Sequence, residues 1–224
     1  MTAARQHSYS ALRNISQGYA LVILGVTVAM FLCSGVFDGA FVAFWMPAHI
    51  LSVVLLVLGG WWWWRMPPLT ANWLRWTEQF MIAALLQVYM IPFIAWWRKS
   101  PQVPFFAINA IIALIGIAWL LLMLGAVIAE TGTILGDRTL KLEGHVGAWL
   151  APVLVIFPLA FATISNVIFF LRAGLELNWN TLRIGLLWPA WLDSLVLFAP
   201  VLLLAISVEA RLRCLKALRS LEST

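Results

Sequence analysis

Six long runs of apolar residues constrain the fold of this chain more than any other feature. Each run approaches or exceeds the ~20 residues that a helix needs to cross ~30 Å of hydrocarbon. None shows the alternation of a barrel strand, so only helices satisfy the backbone in lipid. The sequence therefore predicts an all-α integral membrane protein, a bundle of about six transmembrane helices. The runs cover residues 19–36, 41–64, 80–97, 105–129, 146–171 and 184–208.

The composition supports lipid as the solvent of these helices. The chain is 63% hydrophobic and only 10% charged, whereas a soluble domain is about a quarter charged. In a soluble protein the net charge of +5 would suggest nucleic acid as a partner. Here the basic residues lie in short segments between apolar runs, where they set orientation and contact headgroups, so we expect no binding of nucleic acid.

The distribution of lysine and arginine predicts the orientation. With six spans, ten of the 14 basic residues fall on one side of the membrane, and the positive-inside rule places that side in the cytoplasm. Both termini are then cytoplasmic. The chain divides into a cytoplasmic N-terminal segment (1–18), a transmembrane domain (19–208) and a basic amphipathic tail (209–224). The ten residues are Arg5, Arg13, Arg65, Arg75, Arg138, Lys141, Arg211, Arg213, Lys216 and Arg219.

Two connecting segments on the basic side are predicted to have structure of their own. Pro67 and its neighbouring proline break the chain before Trp73 and Trp76, a pattern typical of a short interfacial helix. Residues 131–144 place a Gly-Asp pair between two stretches rich in Thr, Ile and Leu. That pattern predicts a β-hairpin with a two-residue turn, and a plain loop is the alternative.

The C-terminal tail is predicted to continue the sixth span as a basic amphipathic helix. Four leucines recur at a spacing of three residues and alternate with four cations. Such a helix suits contact with anionic headgroups or with an acidic partner. The leucines are Leu212, Leu215, Leu218 and Leu221, and the cations proposed for this contact are Arg211, Arg213, Lys216 and Arg219.

Polar residues inside the apolar runs are the candidates for a substrate site, because lipid makes them costly. His49, Asn109, Asn166 and Asp193 fall in the outer halves of four different helices, and Gln87 lies near the middle of the third. Together they predict the lining of a cavity open to the outside. Hydrogen bonding between helices is the alternative role for the amides. His49 and Asp193 lie at similar depth, and they would form a pair if their helices were neighbours.

Motifs for catalysis, cofactors and metals are absent from the sequence. It contains no glycine-rich phosphate loop, no Gly-x-Ser-x-Gly and no His-Glu-x-x-His. Among the three histidines only His49 lies within a span, which argues against bis-histidine haem ligation. Cys33 and Cys214 fall on opposite sides of the predicted topology, so we expect no disulfide between them. We expect no metal and no cofactor.

These observations favour a non-catalytic membrane subunit, an assembly or accessory component whose partners are the lipid bilayer and other membrane proteins. A small-solute transporter or channel is the alternative, and it rests on the polar residues within the spans. An intramembrane enzyme acting on lipid is a third hypothesis, which the lack of clustered acids and bases disfavours. Compact loops and the absence of a cleavable signal pattern suggest a bacterial inner membrane.

Overall fold

The computed structural model describes residues 3–33, 42–99, 104–172 and 190–223. These residues form six α-helices and no strand, so the predicted all-α fold is confirmed for the described part of the chain. The helices are α1 (Ala3–Cys33), α2 (Val42–Trp64), α3 (Trp73–Lys99), α4 (Pro104–Leu135), α5 (Arg138–Arg172) and α6 (Ala190–Ser223).

Five segments of the described helices are long and apolar enough to cross a membrane. The first predicted residues of the sixth run, 184–189, lie outside the described residues, and α6 begins at Ala190. The fold is thus compatible with a multi-pass membrane protein. The five segments are Ser8–Leu32, Met46–Trp64, Trp73–Ile94, Ile111–Leu135 and Arg138–Pro158.

The helices are arranged so that each packs against the next in the chain. α6 packs against α5 and returns to contact α1, which closes the order, and α6 also contacts α4. The connections between α2 and α3 and between α4 and α5 are short, and short connections favour antiparallel packing of the helices that they join. α1 therefore contacts both α2 and α6.

An aromatic cluster holds α1, α2 and α3 together near one end of the bundle. The Tyr19 and Trp63 ring centroids lie 4.9 Å apart, and those of Trp63 and Phe80 lie 5.4 Å apart. All three side chains are fully buried. Of the four consecutive tryptophans at positions 61–64, only Trp61 and Trp64 are exposed; Trp63 belongs to the core.

Small residues bring α4 and α5 into close contact. A Cβ added to Gly125 would lie 2.5 Å from the Ala148 nitrogen, and one added to Gly144 would lie 2.4 Å from the Ala129 nitrogen. α4 carries Gly125 and Ala129 four residues apart, and α5 carries Gly144 and Ala148 with the same spacing. Gly125 faces Ala148 and Gly144 faces Ala129, so the two pairs meet in antiparallel register. Such small-xxx-small faces are the usual means of close helix packing in membranes. The sequence analysis did not identify them.

The hairpin predicted for residues 131–144 is wrong. α4 continues through Leu135, Gly136 adopts a left-handed φ of 68°, and α5 begins one residue after Asp137. The Asp137 amide donates to the Gly132 carbonyl at 2.8 Å, and the Gly136 amide donates to the Thr133 carbonyl at 3.2 Å. This is the Schellman end of a helix. A glycine followed by an aspartate suits both a hairpin turn and a helix–helix turn, and tertiary packing selects the second.

The separate interfacial helix predicted around Trp73 and Trp76 is also wrong. α3 starts at Trp73 and continues without a break to Lys99. The Thr70 hydroxyl caps its start by accepting from the Trp73 amide at 3.1 Å. The Trp73 indole is fully buried and donates to the Trp63 carbonyl at 3.3 Å, which fixes the beginning of α3 against the end of α2.

Candidate functional site: the helical base

Four helices are longer than a bilayer crossing requires. α1, α4, α5 and α6 contain 31, 32, 35 and 34 residues. At about 1.5 Å of rise per residue they are about 46–52 Å long, against ~30 Å of hydrocarbon. At one end of the bundle their ends form a packed layer that we call the helical base. It comprises residues 3–17 of α1, 131–135 of α4, 138–143 of α5 and 209–223 of α6.

Two exposed arginines at this end of the bundle lie over tryptophan rings. The Arg65 guanidinium lies 4.4 Å from the Trp61 ring centroid, and that of Arg75 lies 5.1 Å from the Trp76 ring centroid. Indole rings prefer the headgroup layer, and adjacent cations extend into water. The Trp63 indole donates to the Ile15 carbonyl at 3.1 Å. The part of α1 that precedes Ile15 therefore extends past the level of Trp63.

Two side-chain hydrogen bonds join different elements at this end of the bundle. The hydroxyls of Tyr19 on α1 and Thr131 on α4 are 2.8 Å apart and buried. The Thr70 hydroxyl, in the α2–α3 turn, donates to a carboxylate oxygen of Glu130 at 2.7 Å. The N-terminal helix, the α2–α3 turn and the end of α4 therefore lie at one end of the bundle, which agrees with the shared side that the charge distribution predicts.

An ionic cluster fastens α6 to the α4–α5 turn. The Arg213 guanidinium pairs with one Asp137 oxygen and with Glu209 one turn earlier on α6. The other Asp137 oxygen accepts the amides of Thr139 and Leu140 at 3.0 and 3.1 Å, which caps α5. Because Arg213 donates to this carboxylate, the pKa of Asp137 lies below its usual value. The carboxylates of Glu209 and Asp137 raise the pKa of Arg213.

A fourth ionisable side chain completes this cluster. Glu143 of α5 lies beside Glu209, close enough for their carboxyl groups to form a hydrogen bond. Its second oxygen is buried and has no hydrogen-bond partner among the described residues. Three carboxyl groups thus surround the one guanidinium of Arg213, which explains why this arginine is held between α5 and α6.

The N-terminal part of α1 and the C-terminal part of α6 pack as a pair. Leu12 and Ile15 of α1 belong to the same buried apolar cluster as Cys214 and Leu218 of α6. Nearer the chain ends, the Tyr9 hydroxyl donates to Glu222 at 2.8 Å. Burial raises the pKa of the Cys214 thiol to about 12, so this cysteine is an apolar packing residue at neutral pH.

The four cations predicted for headgroup or partner contact differ in their exposure in the structure. Helix α6 continues unbroken to Ser223, as predicted for the tail. Arg213 is held in the ionic cluster, and Arg211 is half-buried. Lys216 and Arg219 are exposed, and neither forms an ion pair with another described residue. The sequence analysis could not separate these two from Arg213, because the separation depends on which face of α6 meets α1 and α5.

The two predicted cavity amides whose side chains are described both bond to backbone carbonyls. Buried Gln87 donates to the Ala113 carbonyl across the α3–α4 contact at 3.4 Å. Asn109 donates to the Phe105 carbonyl of its own helix at 2.7 Å. A Cβ on Gly116 would lie 2.4 Å from the Gln87 amide nitrogen, so Gln87 fills the space that this glycine leaves. The Gln87 contact is of the kind that holds helices together, whereas the Asn109 bond lies within α4.

The other candidates are not brought together by any described contact. His49 is half-buried on α2. Asn166 and Asp193 lie on α5 and α6, but their side chains are outside the described residues. The proposed pairing of His49 with Asp193 stays a prediction. The helices that carry them both contact α1, which lies between them in the order of packing.

Comparison of the chain with protein-family models, with curated proteins and with solved structures finds no match. Within the described residues, no group of three or more His, Cys, Asp or Glu side chains could hold a metal ion. A shallow apolar groove lies on α5, lined by His145, Val146, Trp149, Leu150 and Val153. We therefore take the helical base, which contains the ionic cluster around Arg213, as the candidate functional site.

Proposed function

We propose that this protein is a non-catalytic, multi-pass subunit of a larger membrane complex. The observation that carries the proposal is the helical base, in which the ends of α1, α4, α5 and α6 pack together as one layer. The base is small, and its buried interior is apolar. Such a layer suits the docking of another protein better than it suits catalysis.

The finer features of the proposal follow from the charge distribution. Six spans with both termini in the cytoplasm put the base on the cytoplasmic side, because ten of the 14 basic residues lie there. A bacterial inner membrane fits the compact connecting segments. In this arrangement the base meets cytoplasmic proteins, while the apolar outer faces of the helices meet lipid or other membrane subunits.

The contacts of Gln87 and Asn109 weigh against the transporter alternative. A solute path needs polar groups that are free to bind the solute, whereas these two amides already donate to backbone carbonyls. The alternative now depends on His49, Asn166 and Asp193.

One experiment separates the two functions. The protein is extracted from its native membrane into nanodiscs without detergent exchange, and native mass spectrometry measures the composition of each particle. In parallel, the purified chain is reconstituted into liposomes, and the flux of protons and small ions is compared with that of protein-free liposomes. We expect a fixed stoichiometry with partner chains and no added flux. A lone chain that increases the flux would overturn the subunit proposal in favour of a transporter.

A further inference from the structure

The end of α6 extends well past the buried contact between Tyr19 and Thr131. Arg213 contacts Asp137, which follows Thr131 by six residues, about 9 Å along the α4 direction. Arg219 is about another 9 Å along α6. The backbone of Arg219 therefore lies about 18 Å past the level of Thr131, whereas a headgroup layer is only ~5–7 Å thick.

The exposed face of this part of α6 combines one apolar and two basic side chains. Leu212 is 60% exposed, and Lys216 and Arg219 are exposed on the same face. Steps of four and then three residues place the three side chains in one row about 10 Å long. The opposite face, with Ala210, Cys214 and Leu218, is buried. This face thus carries an exposed leucine next to two cations that form no ion pair with the other described residues.

The acidic side chains at this end of the bundle make other contacts. Asp137 and Glu209 bind Arg213, Glu143 lies beside Glu209, Glu222 accepts from Tyr9, and Glu130 accepts from Thr70. Among the described residues, none of them forms an ion pair with Lys216 or Arg219.

We propose that Leu212, Lys216 and Arg219 form a docking surface for an acidic amphipathic helix of a partner protein, an inference that rests on the proposed subunit function. A row with this spacing matches a helix that presents one apolar residue and carboxylates one and two turns away. Leu212 supplies apolar area that is buried on docking, and the two cations supply orientation and selectivity.

Binding of a defined peptide tests this surface. The probe is a synthetic amphipathic peptide of about 20 residues, long enough to be helical alone, with a leucine stripe flanked by glutamates. Its affinity for the full-length protein in phosphatidylcholine nanodiscs is measured by fluorescence anisotropy. We expect Lys216→Gln with Arg219→Gln to weaken binding by about fivefold to tenfold, and Leu212→Ser by a similar factor.

A matched control removes the same charge at the headgroup level. Arg65→Gln with Arg75→Gln should change the affinity by less than about twofold, because neither residue belongs to the docking surface. A charge-swapped peptide, with lysine for glutamate, should bind Lys216→Glu with Arg219→Glu and not the native protein. Circular dichroism of each variant establishes that its helices are intact.

Three results would overturn the docking surface. The first is a loss of peptide affinity in the Arg65 and Arg75 control that equals the loss in the Lys216 and Arg219 variant. The second is the absence of peptide binding. The third is displacement of the peptide by phosphatidylserine vesicles, which would make anionic lipid the occupant. None of these would overturn the subunit function, which native mass spectrometry tests independently. A partner held through the apolar faces of the spans would satisfy that function without this surface.

Discussion

Asp137 serves two helices at once: one carboxylate oxygen caps the first turn of α5, and the other pairs with Arg213 of α6. The turn between α4 and α5 is therefore bound to the last part of α6 by a single side chain. Two predictions about the stability of the base follow from this contact.

Removal of the cation from the cluster should destabilise the base. In Arg213→Gln, the carboxylates of Asp137, Glu209 and Glu143 remain close together without the guanidinium that balances them. The pair is about a quarter exposed, so the expected loss lies between that of a surface pair and that of a buried one, about 1–3 kcal/mol. Thermal unfolding in mild detergent measures it. Lys216→Gln removes the same charge from an unpaired side chain and should leave the melting temperature within about 1 °C.

The stabilisation from Asp137 should depend on pH in a defined direction. The pKa of the folded Asp137 is depressed below its ordinary value of 3.8, first by Arg213 and then by the amide of Leu140. A group with a depressed pKa contributes stability that is complete above its unfolded pKa and is lost as the pH falls through the folded value. Asp137→Asn keeps a side-chain oxygen for the helix cap but removes the charge. The native protein should be more stable than this variant at pH 7, and the difference should shrink only below about pH 4. A difference that already disappears between pH 7 and pH 5 would contradict the assignment to Asp137.

The close contact between α4 and α5 predicts a second sensitive position. A Cβ at Gly144 meets the backbone of Ala129, and a backbone cannot rotate away as a flexible side chain can. Gly144→Ala should therefore separate the two helices and lower stability by about 2 kcal/mol or more. Ala205→Val adds methyl groups at an exposed position of α6 and should change stability by less than about 0.5 kcal/mol. Equal yields and melting temperatures for the two variants would show that the contact is looser than this structure indicates.

The sequence predicted the features of this fold that depend on solvent preference. Long apolar runs predicted the helices. The positions of the cations predicted one shared side for the N-terminal segment, the α2–α3 turn, the α4–α5 turn and the tail, which contact one another at one end of the bundle. Those features are set residue by residue by the cost of leaving polar or apolar groups in the wrong medium.

The features that the sequence analysis missed depend on which helix faces meet. Trp63 and Trp61 are neighbours in the same Trp run, yet only Trp63 is in the core. Arg213 and Lys216 lie on the same tail, yet among the described residues only Arg213 forms ion pairs, with Asp137 in the α4–α5 turn and Glu209 on α6. The reciprocal small residues at Gly125 and Gly144 were visible as a pattern and could have indicated the α4–α5 contact. The helix–helix turn at Gly136 could not be separated from a hairpin by local sequence alone.

The orientation of the helical base can be tested with single cysteines. In a Cys33→Ala background, Ser223→Cys places a thiol on an exposed residue at the end of α6. Native Cys214 is buried and its pKa is raised to about 12, so it holds almost no thiolate at neutral pH and should not react with a maleimide. With the base in the cytoplasm, a membrane-impermeant maleimide should label Ser223→Cys only after the cells are opened. Ser100→Cys, placed on the opposite side by the predicted topology, should react in intact cells. Labelling of Ser223→Cys in intact cells would put the base outside and would exclude a cytoplasmic partner for the row formed by Leu212, Lys216 and Arg219.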